Sequence, residues 1–208
     1  MIRKILLMAY LGVVSSVGFA EVPEWPQFRG PNGSGIAVGA KPPVTFGPDQ
    51  NVKWKVPVPS GASSPVVVGD KLFLTAFDEG KLFTIAYSTN NGRELWRAEA
   101  PAKTIEAYHK TEGSPAASSV ATDGKTVVSY FGSCGVFAYD LTGKELWKYD
   151  LPIAKTAADF GTGVSPILVD GLVILQRDEM NEPKIIALNA ADGRPKWETI
   201  SEGLLRQQ

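Results

Sequence analysis

The feature that most limits what this chain can fold into is a repeat with a period of about 50 residues. Asn91-Gly92-Arg93-Glu94-Leu95-Trp96, Thr142-Gly143-Lys144-Glu145-Leu146-Trp147 and Asp192-Gly193-Arg194-Pro195-Lys196-Trp197 each place a Trp four residues after a turn Gly, with Trp spacings of 51 and 50. Ser64-Pro65, Ser114-Pro115 and Ser165-Pro166 recur at spacings of 50 and 51, each taken to open an apolar run. Two markers that share one period indicate a supersecondary unit used three times.

Each unit reads as four short strands. In the first, Val66 to Val68, Leu72 to Ala76 and Leu82 to Tyr87 are separated by Gly69-Asp70 and Asp78-Glu79-Gly80, and a last strand runs through Trp96 after Asn90-Asn91-Gly92. The second unit has Asp123-Gly124, Val127 to Tyr130 and Val136 to Tyr139, and the third has Asp170-Gly171, Leu172 to Leu175 and Ile185 to Leu188. Asp-Gly and Asn-Gly pairs between β-rich runs are hairpin signals, because their turns need the positive φ that Gly supplies. A four-stranded antiparallel unit of this size leaves both faces wet unless it stacks on neighbours, so the expected fold is an all-β propeller of such blades. The repeated Trp fits that architecture: an indole at the end of an outer strand fills the wedge between blades while its N–H bonds a neighbouring carbonyl.

The expected organisation is a signal peptide at 1–20, an N-terminal segment at 21–62 with a closing strand at Val52-Lys53-Trp54, and three blades in 63–208, at about 63–97, 113–148 and 163–198. Arg3 and Lys4, the apolar stretch Ile5 to Val14 and the small residues of Gly18-Phe19-Ala20 have the form of a secretory signal cleaved before Glu21. A periplasmic or secreted protein without stable membrane insertion is therefore expected. Three blades and one stray strand do not close a ring, so the chain is read as the N-terminal part of a longer propeller whose remaining blades are its partners.

Composition narrows the chemistry. With 21 Lys and Arg against 22 Asp and Glu, no single-sign field marks a nucleic-acid binder. One His and one Cys exclude a multi-ligand Cys/His zinc site, a haem attachment motif and a disulfide framework within this sequence.

The series Ala86, Gly92, Trp96; Ala138, Gly143, Trp147; and Ala187, Gly193, Trp197 resembles the tryptophan-docking motif of quinoprotein propellers, with the middle copy one residue shorter between Ala and Gly. Trp25-Pro26-Gln27-Phe28-Arg29-Gly30-Pro31-Asn32-Gly33 looks like the N-terminal signature of exported PQQ-binding-like β-propeller repeat proteins. That family mixes pyrroloquinoline quinone dehydrogenases with propellers that bind no cofactor. The resemblance implies for the dehydrogenases a bound Ca²⁺, a carboxylate base and often an adjacent Cys pair; here Cys134 stands alone between Ser133 and Gly135 and is expected to be a buried strand-end thiol.

Candidate site residues are few. Tyr108-His109-Lys110-Thr111-Glu112 holds the only His, and His109 with Glu112 offers an acid/base or ligand pair, against the plainer reading of a solvated interblade loop. Arg177, Asp178, Glu179, Asn181 and Glu182 form an oxygen-rich run that suits a cation or simply a charged hairpin tip. Phe160-Gly161-Thr162-Gly163 is glycine-rich but opens a strand and no helix, so it is read as backbone crowding the central channel. Glu112, His109 and Asp178 are the cofactor-binding candidates; no catalytic or metal residue is assigned. Two functions stand: an exported, non-catalytic scaffold for a protein or polysaccharide partner, with no cofactor, or a dehydrogenase using pyrroloquinoline quinone with calcium in a site that further blades complete.

Overall fold

The computed structural model describes residues 24–180 and 182–200; the expected signal peptide and Asn181 lie outside the described residues. The chain is all-β, a partial propeller of three four-stranded sheets. The first contains β1 (Val66–Val68), β2 (Lys71–Asp78), β3 (Lys81–Ser88) and β4 (Glu94–Ala100). The second contains β5 (Ala121–Thr122), β6 (Thr126–Phe131), β7 (Gly135–Asp140) and β8 (Glu145–Asp150). The third contains β9 (Ile167–Val169), β10 (Leu172–Arg177), β11 (Lys184–Asn189) and β12 (Pro195–Ile200). Each is an antiparallel meander in sequence order, as hairpin connections demand.

The sheets stack face to face. Val66, Phe73, Leu82, Val127, Phe137 and Tyr139 fill the layer between the first and second sheets. Val128, Tyr130, Val136, Trp147, Leu175 and Ile186 fill the layer between the second and third. Because side chains alternate along a strand, Val127 and Val128 point into different layers, and the second sheet becomes core on both faces.

The repeat's Ala, Gly and Trp have matching geometry in each sheet. Trp96, Trp147 and Trp197 pair across the ladder with Ala86, Ala138 and Ala187, and the register shifts by one residue immediately beside each pair. The indole then reaches into the following turn. Trp54 Nε1 donates to Thr89 O at 2.8 Å, Trp96 Nε1 to Leu141 O at 3.1 Å and Trp147 Nε1 to Ala190 O at 2.8 Å. Gly92, Gly143 and Gly193 sit under these rings with φ of 72°, 89° and 70°, and a Cβ on them would lie 2.5–2.7 Å from ring carbons. Both the left-handed backbone and the contact require Gly.

The shorter middle copy is absorbed within its turn. Gly92 and Gly193 N–H groups bond the carbonyl four residues back, at Ser88 and Asn189, whereas Gly143 N–H bonds Asp140, three residues back. The tighter turn leaves the Ala138–Trp147 pair in place.

Two expectations need correction. Ser114-Pro115 does not open the first strand of the second sheet. Ser64 N–H donates to Ser119 Oγ, and Ser119 N–H donates to Ser165 Oγ, so Ser119 is the equivalent of Ser64 and Ser165. The first interblade connection is longer than the next, which shifts the marker, while Ser114 Oγ merely accepts from Ala116 N–H in its own turn. Val52-Lys53-Trp54 belongs to none of the three sheets. Trp54 contributes its indole to the first sheet's Gly92 turn, and its backbone joins no ladder.

The N-terminal Trp25-Pro26 instead supplies edge pairing. Trp25 exchanges both backbone hydrogen bonds with Val67 on the otherwise free edge of β1, and Thr122 N–H of β5 donates to Pro26 O. One short segment thereby closes two strand edges. No helix of the described residues is long and apolar enough to cross a membrane.

Candidate functional site

The interblade connections 101–120 and 151–166 cross the β6–β7 turn. Glu106 N–H donates to Ser133 Oγ, Leu151 N–H to Cys134 O and Ala154 N–H to Gly132 O, so one tight turn positions both connections. A cavity of about 560 Å³ opens between the second of these connections, the second sheet and the β10–β11 hairpin. Its polar lining is Tyr130, Thr156, Thr162, Arg177, Asp178 and Glu179. Phe160, Val164, Met180 and Pro183 supply much of the apolar wall.

Strand alternation explains the Arg177 position. Val173, Leu175 and Arg177 share one face of β10, and that face is buried. At 2% exposure Arg177 ion-pairs through Nε with Glu179 and donates through Nη2 to Pro152 O. A charged hairpin tip in water is therefore the wrong description of this end of the run. Asp178 fits it better, exposed at the cavity with Gln176 Nε2 donating to Oδ1 at 2.8 Å.

Glu106 lies behind the lining at 2% exposure. Its Oε2 accepts from the Thr162 hydroxyl at 2.5 Å, and Oε1 accepts no hydrogen bond from the described residues. Burial pushes the Glu106 carboxyl above its ordinary range, opposed by the Thr162 hydrogen bond and the Arg177 charge. The Tyr130 hydroxyl is buried in the lining, and desolvation pushes it up to about 12 against the charge and side-chain hydrogen bond of the neighbouring Arg177. Gly132 makes room for the Glu106–Thr162 pair, since a Cβ there would overlap Thr162 Oγ1 and Glu106 Oε2.

The sequence candidates do not converge. Asp178 lines the cavity, whereas His109 stands behind its wall, stacked on Phe160 with ring centroids 5.1 Å apart and an interplanar angle of 13°. His109 Nδ1 accepts from Glu112 N–H at 3.2 Å, so what Glu112 offers to His109 is its backbone. The loop is thus tied to the wall rather than simply solvated: His109 N–H donates to Phe160 O. Phe160-Gly161-Thr162-Gly163 lines the cavity, with Gly161 N–H held by Thr156 Oγ1. Burial pushes the Cys134 thiol up to about 12, which keeps it protonated and a poor nucleophile.

Glu106 and Tyr130 were not legible as site residues. Glu106 meets Thr162 across 56 positions of sequence. The one usable signal was the alternation in β10, which assigns Arg177 to the buried face.

The residues of this cavity do not fit pyrroloquinoline quinone with calcium. The quinone is a tricarboxylate, and the only cation in the lining, Arg177, is already paired with Glu179 beside Asp178. Calcium takes six to eight oxygen ligands. Among the described residues no three His, Cys, Asp or Glu side chains are grouped to hold a metal.

Among solved structures, the chain is similar to quinohemoprotein alcohol dehydrogenase ADHIIG from Pseudomonas putida HK5, with 20% identity, a TM-score of 0.52, and coverage of 72% of this chain and 22% of that one. The quinohemoprotein alcohol dehydrogenase from Comamonas testosteroni aligns with 21% identity and a TM-score of 0.50 over 69% of this chain and 21% of that one. BamB from Moraxella catarrhalis aligns with 18% identity and a TM-score of 0.50 over 71% of this chain and 39% of that one. These likenesses establish the fold, and the chain spans about a fifth of each dehydrogenase. No curated protein matches the sequence. A family profile described as outer membrane protein assembly factor BamB matches residues 47–160 and, overlapping, 83–206. Matched over most of its length and built from consecutive four-stranded blades, the chain belongs to this PQQ-like propeller repeat family.

Proposed function

We propose that this chain is an exported, non-catalytic propeller that works as a binding scaffold in the cell envelope, after cleavage before Glu21. The carrying observation is the cavity: polar side chains meet an aromatic and aliphatic wall there, while His109, Glu112 and Asp178 stay apart. Such a cavity orients a ligand through a few placed polar groups. A reacting site would instead need nucleophile, base and charge-stabilising donors within hydrogen-bond reach of one point.

The interblade docking by Trp96 and Trp147 supports the scaffold reading, because Trp147 ties the second sheet to the third, the two sheets that flank the cavity. The family's description as an outer membrane assembly factor supports an interaction role and an envelope location, with a protein or polysaccharide as partner.

The test is to titrate the purified chain with pyrroloquinoline quinone and Ca²⁺ while following quinone absorbance and dye-coupled oxidation of alcohols and sugars. The expected result is neither stoichiometric quinone binding nor turnover. Turnover would establish the dehydrogenase reading in its place.

A further inference from the structure

We infer that the cavity between the second and third sheets takes an organic monocation with an apolar body, of the kind an aralkylammonium ion represents. The inference rests on reading this cavity as a binding site and names its ligand class. Charge supplies the first argument. Three charged side chains line the cavity, and two of them satisfy each other. Arg177 is buried, ion-pairs with Glu179, donates to Pro152 O and is hydrogen-bonded with the Tyr130 hydroxyl. Asp178 is the remainder. It is exposed, and its hydrogen bond from the described residues comes from the uncharged Gln176 amide to Oδ1, which leaves Oδ2 for a ligand donor. The charge that a ligand meets on entering is therefore negative, and no other lining cation offsets it. Asp178 repels an anion and pairs with a cation.

The rest of the lining says what the cation carries. Phe160, Val164, Met180 and Pro183 make much of the wall apolar. A small inorganic cation would leave that wall wet, whereas an apolar body covers it. A metal ion is disfavoured on its ligands too, since among the described residues no three His, Cys, Asp or Glu side chains are grouped to hold one.

Phe160 joins the two requirements. It lines the cavity half exposed, and His109 stacked on one face of its ring braces it and leaves the other face to the cavity. The face of an aromatic ring attracts a cation within about 6 Å of its centroid. The cavity volume lies within the range of roughly 300–1,000 Å³ found for small-ligand pockets. A free amine and the lysine side chain of an extended peptide share this chemistry.

The experiment is saturation-transfer NMR and calorimetric titration of the full chain with phenethylammonium, its uncharged isostere phenethyl alcohol, phenylacetate and a blocked leucyl-lysyl-leucine tripeptide. The inference expects phenethylammonium to bind about tenfold or more tightly than the alcohol, with phenylacetate weakest. A tighter tripeptide assigns a peptide side chain, and tighter phenethylammonium assigns the free amine. Asp178→Asn, at an exposed position, should keep the melting temperature and bring the ammonium ion and the alcohol to equal affinity. Added salt should weaken the ammonium ion and spare the alcohol. Phe160→Leu keeps apolar bulk, removes the ring face and should weaken phenethylammonium about fivefold. Binding of the alcohol or phenylacetate as tightly as phenethylammonium, no binding of either cation, or a preference that survives in Asp178→Asn would overturn the inference. Absence of cation binding together with absence of turnover leaves the scaffold reading standing. Cation binding with dye-coupled oxidation of the amine would instead overturn the scaffold and keep the ligand class.

Discussion

The second and third sheets carry the same repeat in different surroundings. β6 and β7 are buried almost throughout, with one residue set facing each neighbouring sheet. β12 is exposed along its length, and Ile167, Val169 and Ile200 share that exposure. Trp147 and Trp197 make the comparison sharp. Both pair with an Ala beside a register shift, yet Trp147 is 8% exposed and Trp197 46%. The difference lies in the turn that Trp147 reaches, where Ala190 accepts its N–H and Gly193 lies under its ring. A repeat Trp thus acquires its structural role from the following blade's turn rather than from its own strand.

Removing each indole separates the two sheets by the largest margin. Trp147→Ala should cost about 3–5 kcal/mol, because a buried aromatic and its hydrogen bond are lost together. Trp197→Ala should cost less than about 1 kcal/mol, as an exposed site does. Urea denaturation of the two variants measures both values. Equal costs would remove the distinction between the two sheets.

A glycine pair sharpens it further. Gly193 and Gly171 have nearly equal φ, 70° and 72°, but only Gly193 lies against an indole. Gly171→Ala should cost about 1–2 kcal/mol for left-handed backbone alone. Gly193→Ala should cost about 1–3 kcal/mol more, since Trp147 must move. Thermal melts of the pair isolate that contact.

A smaller effect belongs to Glu106 at the seam of the two sheets. Its folded pKa is raised by burial above the ordinary 4.5, so the folded state holds a proton that the unfolded chain releases first. The resulting stability is complete below that ordinary value and is lost as pH rises through the raised one. Melts of the wild type and Glu106→Gln from about pH 4 to about pH 8 should show a fall in the first that the second lacks. Parallel curves would deny Glu106 this role. Smallest is the Cys134 effect: with its thiol pushed up to about 12, alkylation at neutral pH should be about tenfold or more slower than for a free cysteine.

What was legible in the sequence was local. Gly92, Gly143 and Gly193 announce their turns, and the Trp four residues on announces the unit, because both signals lie within one hairpin. Ser114-Pro115 misled because unequal interblade connections slide the true equivalent to Ser119. The cavity was legible only in part, since Asp178 and the Phe160 segment were in view whereas the Glu106–Thr162 contact joins two connections that no period relates. Arg177 was misread by composition, as one charge among several, where strand alternation sets it with Val173 and Leu175.

Trp-to-turn locks make the rigid frame in which the cavity sits. Hydrogen exchange of the indole N–H groups in the full chain, labelled with ¹⁵N-tryptophan, tests it most directly. Trp54, Trp96 and Trp147, which donate to carbonyls of the next turn, should exchange slowly and in parallel with global unfolding, while Trp197 exchanges at the rate of an open indole. Fast exchange at Trp147, or protection at Trp197 equal to it, would show that the following turn does not lock the indole.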